Sequence, residues 1–234
     1  MKPFLHTWTS GLMGLFFPKR CLLCGKSLLH QEELLCTTCF YKLARTNFHL
    51  ETENPVKEIF HGRLPLVSAT SYLFFSKGGG TQQMIHQLKY KGNKEIGIYL
   101  GRQFGRQLNE CPLFNTAGAL VPVPLHAKKE HKRGYNQSRI IAEGMADVMN
   151  IPVFSDVLFR NTYSSSQTRK SRYERWENVK GIFELKNRKR LQGKHVILVD
   201  DVITTGATLE ACGNKLLEIP GIRLSIASLA YAEG

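Results

Sequence analysis

The sequence predicts an α/β fold: a mainly parallel sheet flanked by helices, preceded by a small four-cysteine domain. Three observations carry this reading. Residues 196–199, VILV, form an apolar run without alternation, as a strand buried on both faces of a parallel sheet does. Residues 120–138, LVPVPLHAKKEHKRGYNQS, repeat that logic: a short apolar strand interrupted by prolines, a basic loop, then a helix with Ile140, Ile141, Met145 and Val148 on one face. CLLC at 21–24 and CTTC at 36–39 stand 11 residues apart, the spacing of two facing metal knuckles.

Between these landmarks the chain punctuates itself. After a polar stretch near Glu51 to Val56, Leu66 to Phe75 reads as a strand, and Thr81 to Tyr90 and Glu95 to Leu108 read as helices. The KGGG and KGN breakers separate them. At 234 residues the chain has room for one α/β domain and a small appendage, which places residues 1–50 in a helix and zinc-ribbon-like domain and 51–234 in the main domain.

Net charge is +13, and residues 121–195 hold 16 Lys and Arg against 7 Asp and Glu. Such an excess suits an anionic partner, a phosphorylated metabolite or a nucleic acid. No stretch approaches the roughly 20 apolar residues of a membrane span, so a soluble protein is expected. At the N-terminus, Phe4, Leu5, Trp8, Leu12, Leu15 and Phe16 recur at helical spacing. That pattern reads as a short amphipathic helix stopped near Pro18, docked on its own protein or else lying on a membrane surface, rather than a targeting signal, because His6, Thr7, Thr9 and Ser10 interrupt the apolar core.

Four thiolates at Cys21, Cys24, Cys36 and Cys39 make a tetrahedral zinc set with no open position for water, hence a structural metal and not a catalytic one. A disulfide pair is the alternative, but six cysteines are too sparse for a secreted disulfide scaffold. Cys111 and Cys212 have no Cys or His at ligand spacing and read as ordinary thiols.

The chemistry concentrates where the VILV strand ends. Asp200 and Asp201 are adjacent carboxylates at the carboxyl end of a sheet strand, the edge where open α/β sheets bind ligands. Thr204, Thr205, Gly206, Ala207 and Thr208 then lead into a helix with Leu209, Cys212, Gly213 and Leu216 in phase. Backbone N–H groups and threonine hydroxyls at a helix N-terminus can surround a phosphate, and glycine lets the backbone come close. Two neighbouring carboxylates repel each other at a low-dielectric strand end, and sugar hydroxyls or a hydrated magnesium ion would relieve them.

VILVDDVITTGAT resembles the phosphoribosyl pyrophosphate (PRPP) signature of type I phosphoribosyltransferases, whose acid pair holds the ribose hydroxyls and whose loop holds the 5′-phosphate. It is not a Walker A loop, since no lysine follows the glycine. PVPLH, then RGYNQS, then QTRKSRYERWENVKGIF, together with FFPKRCLLCG and its second CxxC, look like the ComF family of phosphoribosyltransferase-like competence proteins, in the same order along nearly the whole chain.

That resemblance implies a type I phosphoribosyltransferase fold, structural zinc, and magnesium bound with PRPP. It puts the loop from His126 to Gln137, with Lys132, Arg133 and Gly134, at the pyrophosphate. It assigns Gln167 and Arg172 to a hood that closes over PRPP. Asp200, Asp201 and Arg133 would carry catalysis, the carboxylates fixing the ribose and Arg133 neutralising the leaving group. Residues from Gln167 to the acid pair also look like the transferase half of glutamine amidophosphoribosyltransferases; that family needs a cysteine directly after the initiator methionine, and Lys2 stands there, so no glutamine hydrolysis is expected.

The family's association with DNA uptake and transformation implies a rival reading: a non-catalytic accessory protein binding single-stranded DNA, with DNA-uptake proteins as further partners. Tyr135, Tyr163, Tyr173 and Trp176 lie among the basic residues and would stack on unpaired bases. No readable pattern identifies the acceptor of a transfer reaction.

Overall fold

Strand and helix alternate along most of the chain, and a computed structural model describes residues 19–160 and 182–233. The helix expected at the N-terminus, Gln167 and Arg172 of the expected hood, and Tyr163, Tyr173 and Trp176 lie outside the described residues.

The described elements are α1 (Thr37–Tyr41), α2 (Pro55–Glu58), β1 (Ala69–Phe74), α3 (Gly80–Tyr90), α4 (Lys94–Glu110), β2 (Ala119–Pro122), α5 (Ala127–Arg133), α6 (Gln137–Met149), β3 (Leu158–Arg160), β4 (Phe183–Leu185), β5 (His195–Ile203), α7 (Ala207–Leu216) and β6 (Arg223–Tyr231). Four strands form one sheet in the order β1-β6-β5-β2, every neighbouring pair parallel. This is the doubly covered sheet that the VILV run predicts. Along β5, Ile197 and Val199 join the apolar cluster shared with α3, α4 and α6, whereas Val196 and Leu198 join the one shared with α2 and α7.

Sheet edges expose unpaired backbone groups unless covered. On the β1 side Arg45 bridges Leu73 antiparallel, and on the β2 side Leu120 bridges Val153 in parallel. β3 and β4 form a separate antiparallel pair, with residues 161–182 between them in sequence.

One expectation for the middle of the chain needs correction. The strand expected at Leu66 to Phe75 is confined to Ala69–Phe74, because its register with β6 begins at Ala69↔Ile226. The polar stretch before it is built structure. Asn54 caps α2, accepting from the N–H groups of Val56 and Lys57, and donates to the Ala69 carbonyl at 2.9 Å.

Helices α4 and α6 pack closely because glycines line the seam. A Cβ on Gly144 would lie 2.3 Å from the Ile98 carbonyl oxygen, and one on Gly101 would lie 2.3 Å from that of Ile141. Backbone cannot give way as a flexible side chain can, so these positions admit no side chain at the observed separation.

The cysteine segment does not bury a core of its own. Cys21, Leu35, Cys36 and Leu43 belong to the same apolar cluster as Leu73, Met84, Leu100 and Leu120. Among the described residues, no helix is long and apolar enough to cross a membrane.

Candidate functional site

Parallel neighbours end at the same edge of a sheet, so the loops after β2 and β5 converge. The acid pair sits at that edge, although not at the end of its strand. β5 continues past Val199 to Ile203, because β6 pairs with it as far as Ile203↔Tyr231. β2 pairs only to Val199, at Pro122. Beyond that point one side of β5 lacks a strand partner, and there the two carboxylates stand.

Their surroundings differ. Asp200 Oδ1 accepts from the Ser138 hydroxyl and from the Asp201 backbone N–H, both at 2.9 Å. Asp201 Oδ2 lies 2.8 Å from Lys89 Nζ, an ion pair between half-buried side chains. Burial, and secondly the neighbouring Asp201 charge, push the Asp200 carboxyl up to about 7 against these hydrogen bonds and the more distant Lys89. A carboxyl so placed is short of donors and counter-charge, which fits sugar hydroxyls or a hard cation with oxygen ligands.

The turn after β5 is as the sequence expects. Thr204, Thr205, Ala207 and Thr208 are exposed, and with Asp200 they line a small cleft over the N-terminus of α7. No side chain caps that helix, so its first N–H groups keep their capacity for an anion. Gly206 has φ of +73°, and a Cβ there would meet Ile59 Cγ2 at 2.6 Å and a Phe60 ring carbon at 2.9 Å. The close approach that requires glycine is thus to the turn after α2.

The basic loop expected from His126 to Gln137 is largely helical. His126 caps α5, its Nδ1 accepting from the Lys128 N–H at 3.2 Å, and Gly134 ends the helix in the left-handed conformation. A two-turn helix forms because these residues include no breaker before Gly134 and the cap satisfies its first turn. Lys128, Lys129 and Lys132 are exposed on it. Arg133 donates to Gln137 Oε1 at 2.7 Å, and its guanidinium lies over the Tyr90 ring, 5.3 Å from the centroid. Gln137 itself is buried in the first turn of α6, its Nε2 without a partner among the described residues.

Tyr135 corrects the base-stacking expectation. Its ring is buried and its hydroxyl donates to the Leu88 carbonyl, so this aromatic fills core and offers no exposed face. Lys89, Tyr90 and Ser138 also stand at the site, beside Asp201, Arg133 and Asp200 respectively. Nothing local marks them; only the folding of α3 and α6 against β5 brings them there.

The four cysteines meet. Their Sγ atoms lie within 4.8 Å of one another, with Cys24 and Cys36 at 3.7 Å, and none is in a disulfide. Zn–S bonds of about 2.3 Å at tetrahedral angles put sulfurs roughly 3.8 Å apart, whereas a disulfide needs about 2.05 Å. Burial opposes ionisation of Cys21, yet N–H donors of Cys36, Cys24 and Leu23 bring it down to about 6; burial and the neighbouring thiols push Cys39 up to about 12. Four crowded sulfurs that cannot all ionise unaided fit a zinc ion. Cys111 and Cys212 are both buried, apart from this cluster.

Residues 136–232 match the phosphoribosyl transferase domain family. Over 115 residues the chain is 31% identical to Competence protein F of Haemophilus influenzae, covering 49% of this chain and 50% of that protein. Over 221 residues it is 25% identical to Competence protein ComFC of Bacillus subtilis, covering 85% and 88%. The chain therefore spans about half the length of the first relative and most of the second. Among solved structures, it is 20% identical to the glutamine PRPP amidotransferase of B. subtilis, with a TM-score of 0.42 over 60% of this chain and 30% of that one. The parallel sheet and the domain match give a type I phosphoribosyltransferase fold, and these relatives, with the order of motifs along the chain, support a ComF family protein.

Proposed function

We propose that the chain binds PRPP at the β5 edge and displaces its pyrophosphate with a nucleophile. The observation that carries this is the juxtaposition of Asp200, with Asp201 next to it in the chain, and an uncapped helix N-terminus, a diol acceptor beside an anion cradle. In this reading the α7 turn takes the 5′-phosphate, and Asp200 and Asp201 take the ribose hydroxyls. Arg133, with His126, Lys132, Gly134 and Gln137 around it, takes the pyrophosphate. Gln167 and Arg172 would complete the enclosure.

The bond from the anomeric carbon to pyrophosphate breaks, its electron pair leaving with the pyrophosphate, as the bond to the nucleophile forms. Positive charge on the sugar ring in between is stabilised by the carboxylates. Magnesium carried in on the pyrophosphate would neutralise charge on the leaving group, beside the ribose hydroxyls that the acid pair would hold. Cys21, Cys24, Cys36 and Cys39 would hold zinc.

The relatives are named as competence proteins, which supports a place for this chain in DNA uptake, in the cytoplasm by this reading. A second reading, single-stranded DNA binding without turnover, is favoured by the exposed Lys128, Lys129 and Lys132 on one short helix. Calorimetry with PRPP and magnesium tests the first. Asp200→Asn combined with Asp201→Asn should weaken binding by about a hundredfold or more, the order expected from two charge-assisted hydrogen bonds of roughly 1.5–3 kcal/mol each. Unchanged affinity refutes the reading. PRPP-dependent pyrophosphate release then separates an enzyme from a binding protein, and displacement of a fluorescent oligonucleotide by PRPP would show one shared basic surface.

A further inference from the structure

One cation is built into the acid pair. Lys89, near the end of α3, reaches Asp201 at 2.8 Å, the two side chains being 21% and 15% exposed. Asp200 receives a hydroxyl and an N–H, and no ion pair among the described residues. The two carboxylates are therefore not equivalent: one is neutralised within the protein and the other has acceptor capacity to spare.

We propose that Lys89 is a selectivity residue of this site: as the resident counter-ion of Asp201 it excludes free divalent cations from the acid pair, so the metal enters only on the pyrophosphate of the sugar ligand. The last clause rests on the PRPP reading; the exclusion does not. A hydrated magnesium or manganese ion gives up water reluctantly and needs the combined charge of carboxylates to do so. With Lys89 in place the pair offers at most one net negative charge, and an incoming cation meets an ammonium group a few ångströms away. A sugar diol meets no such barrier. Its hydroxyls donate to Asp200 while Lys89 stays on Asp201, and a polyanion that carries its own metal is attracted by the same ammonium. The next residue, Tyr90, lies under the Arg133 guanidinium, so the end of α3 touches both the carboxylate and the basic side of the site.

The test is a Mn2+ titration of the zinc-loaded, full-length protein without PRPP, following the free-ion signal by electron paramagnetic resonance. Lys89→Met and Lys89→Gln should each bind Mn2+ about tenfold or more tightly than the wild type, a change of roughly 1.4 kcal/mol or more. Lys89→Arg should behave as wild type. Adding Asp200→Asn to Lys89→Met should abolish the gain. Equal affinity in wild type and both neutral variants overturns the inference, as does a gain that survives Asp200→Asn or appears equally in Lys89→Arg. PRPP binding is measured separately on the same proteins. A wild type that does not bind PRPP removes the proposed function and leaves the metal result to stand or fall alone.

Discussion

Asp200 holds its proton near neutral pH for reasons that belong to its own surroundings: burial, then the charge of Asp201 beside it. The folded carboxyl sits at about 7, well above the roughly 3.9 of an unfolded aspartate. Between those values the native state binds more protons than the unfolded chain, so stability falls as pH rises through that window. The penalty is complete above about pH 7 and disappears as pH falls toward 4. Asp200→Asn keeps an Oδ1 acceptor for Ser138 and the Asp201 N–H but carries no charge. This variant should melt above the wild type at pH 8, by about 2–4 °C for each kcal/mol of repulsion removed, with the difference shrinking at pH 5. Scanning calorimetry at the two pH values checks it; a difference independent of pH would show that Asp200 is already ionised without penalty.

At the level of elements, the seam between α4 and α6 sets where α6 lies, and α6 carries Ser138 to Asp200 and Gln137 to Arg133. Gly144→Ala puts a methyl group against the Ile98 carbonyl, and the helices must part to admit it. We expect a loss of about 1–3 kcal/mol in urea unfolding, the range for forced overpacking. Val148→Ala, at a partly buried position on the same helix, removes volume without a clash and should cost less. Equal losses would mean that the seam is looser than its backbone contacts indicate.

Over the whole molecule, the cysteine segment and the main sheet share one apolar cluster, so zinc at the four thiols should stabilise more than its own loop. Purified protein should contain one zinc per chain. Removing it with a chelator under reducing conditions should lower the melting temperature of the entire chain while the transition stays single, because structural zinc contributes folding free energy directly. Metal analysis and scanning calorimetry before and after chelation check this. Two separate transitions would show that the segment folds independently of the sheet, as the division at residue 50 expects.

The sequence by itself determined what contiguous residues can express. The strand buried on both faces, the DDVITTGAT turn with its carboxylates, hydroxyls and glycine, and the paired CxxC knuckles each lie within a window of fewer than 20 residues, where period, charge and spacing are read directly. Only the tertiary structure decided the rest. Lys89 and Ser138 reach the acid pair because α3 and α6 pack on the face of the sheet that β5 shares. β5 runs on to Ile203 because β6 is long enough to pair with it. Tyr135, polar and basic in its neighbours, turns inward to the Leu88 carbonyl. Each of these depends on partners distant in sequence, whose meeting is settled by strand order and helix packing and leaves no periodic trace in the residues that meet.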